Sequence, residues 1–302
     1  MSYRIAHQPS APGPQVILHG GAGATLKSQG AVAPLRQSLH HIVRTVYQAL
    51  TEGLSALEAV VLGCQMLEDD PQFNAGTGAV LQSDGQVRLS AALMDGATQT
   101  FSGVINAQRV QHPVALARFL QTQKDRVIAD VGTLELAREL HLPPYNPITP
   151  QRLQEWVNAS KDSAVMNLVS EMGTIGVVAR DTQGRLAAGT STGGKGGERI
   201  GRVSDSAMPA GTYANAWAAV SCTGIGEDII DECLAARIVV RVTDGLDLPT
   251  AFDRSLAEAA ARGRDLGAIG LDAQGTIAWG YTTDLLLAAY CTNQVIGDTL
   301  PP

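Results

Sequence analysis

Gly173-Thr174-Ile175-Gly176-Val177-Val178-Ala179-Arg180 is followed by the turn Asp181-Thr182-Gln183-Gly184, and the rest of the chain is read outward from there. Thr174 to Arg180 is expected as a buried strand. A second strand, Arg185 to Thr190, returns from the turn and runs into Ser191-Thr192-Gly193-Gly194. A β-branched residue heading a core strand is ordinary by itself. Thr174 gains weight from residues further along the chain: Thr192, Arg202, Asp205 and the run Ser221-Cys222-Thr223-Gly224. Residues 268–279 repeat the strand–turn–strand pattern around Asp272-Ala273-Gln274-Gly275. Because the echo occurs only twice, it is expected as two hairpins of one sheet rather than a solenoid.

Upstream, Gln15-Val16-Ile17-Leu18-His19 predicts a strand that ends in Gly20-Gly21-Ala22-Gly23. Leu35, Leu39, Ile42, Val43, Val46 and Leu50 recur at helical spacing. Ser55 and Glu58 have capping-box spacing and open a second helix through about residue 67. Ser83-Asp84-Gly85 between two short apolar runs predicts a hairpin over 79–89. Pro113 opens a further helix, residues 134–140 another, and residues 143–172 read as an exposed connector. In the second half, residues 229–242 and 251–261 are expected as helices. Strands dominate the middle and helices lie before and after them. That order favours layered sheets with helices outside over an alternating βαβ fold.

A chain of 302 residues can build one large core or two modest domains. Its 32 glycines imply many tight turns and close backbone approaches. A net charge of −7 argues against a nucleic-acid surface. Cys64, Cys222, Cys233 and Cys291 are scattered, and are expected as buried apolar residues in a reducing compartment. The first residues show no basic segment leading into an apolar one, and no apolar run reaches the roughly 18 residues of a membrane span. A cytoplasmic protein that engages neither membrane nor nucleic acid is expected.

Three motifs compete for residues 189–195. Gly189-Thr190-Ser191-Thr192-Gly193 fits the nucleophile elbow of serine hydrolases, but that site needs a later histidine and none comes after His141. Gly189 to Lys195 begins a P-loop, but Gly196 stands where a serine or threonine should hold magnesium. The third reading needs no histidine. A threonine at a chain's N-terminus carries its own base, an α-amine with a pKa of about 7.7–8.0. It can therefore act as an activated nucleophile once the bond before it is cut. Gly173 offers an unhindered carbonyl for attack by the Thr174 hydroxyl, which makes Gly173–Thr174 the expected self-cleavage point.

These residues, together with His19-Gly20-Gly21-Ala22-Gly23, Phe73-Asn74-Ala75-Gly76, Met94-Asp95-Gly96, Gly201-Arg202-Val203 and Asp205-Ser206, give the chain a resemblance. It resembles, over nearly its whole length, the plant-type asparaginase and isoaspartyl aminopeptidase family of N-terminal-nucleophile hydrolases, related to the glycosylasparaginases. The resemblance implies an α+β fold, a single four-layer αββα sandwich over 1–302. It implies cleavage into an α chain (1–173) and a β chain (174–302), and a dimer of such αβ units. It assigns Thr174 as nucleophile with Thr192 beside it, and Thr223 and Gly224 to the oxyanion hole and to substrate binding. Arg202 would take the substrate α-carboxylate and Asp205 its ammonium. Asn74 is placed near the oxyanion and the precursor bond. No cofactor is implied for catalysis. A structural sodium or potassium ion would sit on main-chain oxygens of Leu67, Glu68, Asp70, Phe73, Ala75 and Thr77.

The implied reaction is hydrolysis of the side-chain amide of L-asparagine and of β-aspartyl dipeptides, releasing L-aspartate. An N4-(β-N-acetylglucosaminyl)-L-asparaginase would share the same residues. A non-catalytic or P-loop-like nucleotide-binding protein is the alternative from another class. The chain departs from its relatives at Lys195-Gly196-Gly197-Glu198-Arg199, a loop bordering the substrate end, at Ile225, and at Met172 before the cut.

Overall fold

The computed structural model describes residues 2–23, 32–160 and 173–302. The second half of the expected connector and Met172 lie outside them. Among the described residues thirteen strands form two sheets. In chain order they are β1 (Arg4–Gln8), β2 (Gln15–Gly23), β3 (Leu89–Asp95), β4 (Thr100–Ala107), β5 (Val127–Ala129), β6 (Ile175–Arg180) and β7 (Leu186–Thr192). Next come β8 (Thr212–Ala214), β9 (Ala218–Gly224), β10 (Leu266–Asp272), β11 (Ile277–Tyr281), β12 (Leu285–Thr292) and β13 (Val295–Asp298). The larger sheet has the order β13-β12-β2-β6-β7-β3-β4-β5, and the smaller β1-β11-β10-β9-β8.

Each sheet carries helices on its outer face. Helices α1 (Val32–Thr51), α2 (Ala56–Asp69), α3 (Pro113–Leu120) and α4 (Val131–Glu139) cover the larger sheet. The i, i+3, i+4 apolar spacing of α1 puts Leu35, Leu39, Val46 and Leu50 into that core, fully or almost fully buried. Ser55 caps α2 by accepting from the Glu58 N–H at 3.3 Å. Helix α5 (Pro150–Ser160) lies on the connector. Helices α6 (Gly226–Glu232), α7 (Leu234–Thr243) and α8 (Leu248–Ala261) cover the smaller sheet. A third apolar layer, with Ile17, Val178 and Ala188 from one sheet and Ile269, Leu271 and Trp279 from the other, fills the space between them. The result is the expected four-layer αββα sandwich.

Several local expectations change. The echoing hairpins β6–β7 and β10–β11 lie in different sheets and face each other across the inter-sheet layer. The pattern that makes a hairpin is local, and it says nothing about which sheet receives it. Residues 79–89 make the turn, with the Gly85 N–H on the Gln82 carbonyl at 2.9 Å, but no ladder on its N-terminal side. Helix α5 docks there instead: Trp156 Nε1 donates to the Gln82 carbonyl at 3.0 Å, and Arg152 Nε to that of Gly78 at 2.7 Å. The first half of the connector is therefore anchored. The helix expected over 229–242 breaks at Cys233, whose φ is +46°, and this cysteine is exposed while the other three are buried.

Strands from before and after residue 173 interleave. In the larger sheet β6 and β7 sit between β2 and β3, β12 pairs with β2, and in the smaller sheet β1 pairs with β11. A cut at residue 173 would leave both pieces in the same ladders.

Candidate active site

Thr174 precedes β6 and Thr192 ends β7. The register Ile175↔Ser191 sets the two threonines side by side. The Thr174 hydroxyl donates to Thr192 Oγ1 at 3.1 Å, and Thr192 Oγ1 also accepts from the Gly194 N–H at 3.1 Å. Both side chains are buried. Thr190, one pleat away, turns instead to Ser221 and Thr212, at 2.7 and 2.6 Å.

From the smaller sheet, β9 brings Thr223 and Gly224 to the same place. Thr223 Oγ1 accepts from the Ala22 N–H at 3.1 Å and points its hydroxyl at the Thr174 carbonyl, 3.4 Å away. Gly224 pairs with Leu266 at the near end of β10. The glycine run after His19 closes the other side. Gly21 has φ +127°, and a Cβ there would stand 2.4 Å from the Gly173 nitrogen. Only glycine both adopts that backbone and leaves room for the peptide ahead of Thr174. His19 is fully buried on Ser221 Oγ at 3.0 Å, and burial pushes its imidazole down to about 3. It is neutral and holds the strand without serving as a base.

Asn74 contacts neither Thr174 nor Gly173 in the described hydrogen bonds. Its amide donates to the Gly194 carbonyl at 2.7 Å, its side-chain oxygen accepts from the Val80 N–H at 3.0 Å, and its carbonyl accepts from the Gly193 N–H at 3.0 Å. It clamps the backbone just after Thr192.

Arg202 and Asp205 converge on Gly226, where a Cβ would stand 2.5 Å from Arg202 Nη2 and 2.9 Å from Asp205 Oδ1. Asp205, in a single 3-10 turn (Asp205–Ala207), is 2 % exposed and its Oδ2 has no partner. Burial pushes its carboxyl up to about 7 against the pull of Arg202. An unpartnered buried carboxylate oxygen beside a cation suits an arriving ammonium.

The sequence reading missed Glu227. Its carboxylate takes Arg202 edge-on, with Nε–Oε1 at 3.1 Å and Nη2–Oε2 at 2.9 Å, and Lys195 Nζ stands 3.4 Å from the same Oε1. Burial opposes its ionisation, but the hydrogen bonds and charge of Arg202, with the charge of Lys195, hold the carboxyl down at about 2. Its position three residues after Gly224, in the first turn of α6, was the available signal. Also missed was the buried carboxylate of Glu68, which accepts from Ser191 Oγ at 2.6 Å and from the Val114 N–H at 3.2 Å.

The 67–77 loop closes on itself. Its Thr77 N–H donates to the Glu68 carbonyl at 2.7 Å and its Phe73 N–H to that of Asp70 at 3.1 Å. The Asp70 carboxylate is taken by Ser38 and Gln72. A hard cation there would depend on carbonyl lone pairs alone, a donor set that suits an alkali ion. Among the described residues no cluster of His, Cys, Asp and Glu is arranged for a metal. Among them, too, β7 gives way after Thr192 to a loop rather than to the helix an elbow or a P-loop needs.

A family model described as asparaginase matches residues 12–300. The chain is 58% identical over 300 residues to an isoaspartyl peptidase/L-asparaginase of Nostoc sp., covering 95% of this chain and 94% of that protein. It is 57% identical over 298 residues to the protein of that description in Synechocystis sp., covering 95% and 90%. To a plant-type L-asparaginase of Pyrococcus horikoshii it is 35% identical over 293 residues, covering 91% and 95%.

Proposed function

The chain belongs to the asparaginase family, and from that premise we propose that it is an isoaspartyl peptidase and L-asparaginase that activates itself by cutting before Thr174. The observation that carries this reading is the Thr174 hydroxyl, held 3.1 Å from Thr192 at the edge of the peptide to be cut. In maturation Thr174 Oγ1 attacks the Gly173 carbonyl, the C–N bond breaks, and the resulting ester is hydrolysed by water. The products are the Gly173 carboxylate and a free Thr174 amine.

That amine then takes the hydroxyl proton of Thr174 as the oxygen attacks the β-carbonyl of the substrate. Thr223 Oγ1 and the Gly224 N–H face the oxygen on which charge develops. Arg202 holds the α-carboxylate through the edge that Glu227 leaves free, and Asp205 the α-ammonium. The amine or ammonia leaves with the proton, and water releases L-aspartate from the ester. Arg202 and Asp205 demand a free amino-acid end, which asparagine and β-aspartyl dipeptides both present.

Four expectations travel with this reading. An alkali ion bound by the 67–77 loop would be structural and takes no part in these steps. The interleaved strands favour one domain in which the α and β chains stay together. The mature form is proposed as a dimer of αβ units. The protein is proposed as cytoplasmic; no helix among the described residues is long and apolar enough to cross a membrane.

The test is intact mass and N-terminal sequencing of the purified protein beside Thr174→Ala. Wild type should give two chains, one beginning Thr-Ile-Gly-Val, and the variant one uncut, inactive chain. An alanine variant that retains full amidase activity would sink the mechanism.

A further inference from the structure

The loop after Thr192 carries a cation that the amidase mechanism does not use. Lys195 directly succeeds Gly194, whose N–H sits on Thr192 Oγ1 at 3.1 Å. Consecutive Cα atoms are about 3.8 Å apart, so the Lys195 backbone lies within about 12 Å of Thr192, and its ammonium stands 3.4 Å from Glu227 Oε1. Its side chain is 45% exposed. Its neighbour in the loop, Glu198, turns the other way, buried against Gly194 and Gln82. Arg199 is exposed further along the loop.

The structure also shows what Lys195 and Arg202 hold together: a carboxylate. Glu227 Oε1 bridges them, 3.4 Å from Lys195 Nζ and 3.1 Å from Arg202 Nε. Burial of Glu227 opposes its ionisation, and these same two cations hold its carboxyl down against that. With Asp205 beside Arg202 as a second carboxylate the four groups balance, so what the pair offers an arriving anion is its unused donors. Arg202 keeps one edge for the substrate α-carboxylate, and Lys195 keeps N–H donors that Glu227 does not use. Asparagine carries one carboxylate and one ammonium and needs nothing more. A β-aspartyl dipeptide brings a second carboxylate, on the residue that leaves.

We propose that Lys195 recognises the free carboxylate of the leaving amino acid in β-aspartyl dipeptides, and so sets how strongly they are preferred over substrates whose leaving group is uncharged. The inference rests on the amidase reading. Lys195 contributes through charge complementarity and discriminates among leaving groups without taking part in bond cleavage.

The test compares β-aspartyl-leucine with its C-terminal amide, using matured wild type, Lys195→Met and Lys195→Arg. The readout is the ratio of kcat/KM for acid over amide, which cancels differences in folding or maturation. Wild type should favour the acid, Lys195→Met should lower the ratio about three- to tenfold, and Lys195→Arg should keep most of it. A ratio unchanged in Lys195→Met overturns the proposal. Matured wild type that cleaves neither compound nor L-asparagine would overturn the amidase reading itself, whereas cleavage of L-asparagine alone would overturn only this proposal, and both are seen before any variant is compared.

Discussion

Hairpins β6–β7 and β10–β11 are built by the same local chemistry. In each, an aspartate opens the turn and a glycine with positive φ closes it: Asp181 with Gly184 at +79°, and Asp272 with Gly275 at +87°. The N–H of each aspartate sits on the carbonyl of the residue four positions on, Arg185 at 3.0 Å and Thr276 at 3.1 Å. Both turns lie at the far ends of their strands from Thr174 and Gly224. Yet only one hairpin has both of its free ends in the site. The register of β6 against β7 sets the Thr174–Thr192 contact, whereas β10–β11 supports the site only at one remove, through Leu266 beside Gly224 and Gly267 beside Thr223. Similar turns therefore carry different burdens, and topology decides which register matters to chemistry.

The hardest way to break this comparison is Asp181→Ala. The Asp181 carboxylate is 1 % exposed and accepts from Gln183 N–H at 2.9 Å, Arg185 N–H at 3.0 Å, Arg185 Nε at 2.7 Å and Ala56 N–H at 3.1 Å. Its loss strands the buried Ala56 N–H at the start of α2 and removes three part-buried bonds in the turn, a cost of about 3 kcal/mol. If the turn fixes the register, the variant should also cut itself more slowly at temperatures where it is folded. Denaturant titration and the time course of fragment appearance measure the two effects. A destabilised variant that matures at the wild-type rate would show that the register is held elsewhere.

The turns were legible because their code is local, and so were the helices, through apolar spacing and the Ser55 cap. The placement of the two hairpins in opposing sheets was not, since nothing in residues 268–279 names the strand they will face. In the site, Thr174, Thr192, Arg202, Asp205, Thr223 and Gly224 were found because their order along the chain carries a family resemblance. Lys195 was noted only as part of a loop bordering the substrate end, and its partner Glu227 escaped for a physical reason. A surface glutamate and lysine 32 positions apart are unremarkable until folding sets them on one arginine. Asn74 was found, but the described contacts make it a clamp on Gly193 and Gly194. The fully buried carboxylate of Glu68 was hidden because only its backbone had drawn attention.

A smaller effect comes from pH, and it tests whether the site depends on more than the register of β6 and β7. Burial pushes Asp205 up to about 7. Its ionised form is the one that pairs with a substrate ammonium, so KM for asparagine should rise as pH falls, by about tenfold between pH 8 and pH 6. The stability consequence has the opposite sign. A carboxyl whose folded pKa lies above its unfolded value stabilises the fold at low pH, and that contribution is lost as pH rises through about 7. KM measured across this range on matured enzyme checks the first. A flat profile would remove Asp205 as the ammonium's partner.

The smallest effect is expected from Asp272→Ala, and it is the control that gives the first prediction its meaning. Asp272 is 5 % exposed, and its side chain accepts one hydrogen bond, from the Thr276 N–H at 2.7 Å. The turn keeps its backbone bonds, Asp272 N–H to the Thr276 carbonyl and Gly275 N–H to that of Asp272, both at 3.1 Å. Removing the carboxylate should therefore cost about 1 kcal/mol. Because β10 is pinned to β9 from Leu266↔Gly224 to Asp272↔Ala218, fraying at the turn lies six residues from the oxyanion end. At about 3.3 Å per residue that is some 20 Å. Self-cleavage and kcat should match wild type while the unfolding midpoint drops. Slowed cleavage in Asp272→Ala would mean that the smaller sheet transmits register to Thr223 after all, and the contrast between the two hairpins would fall.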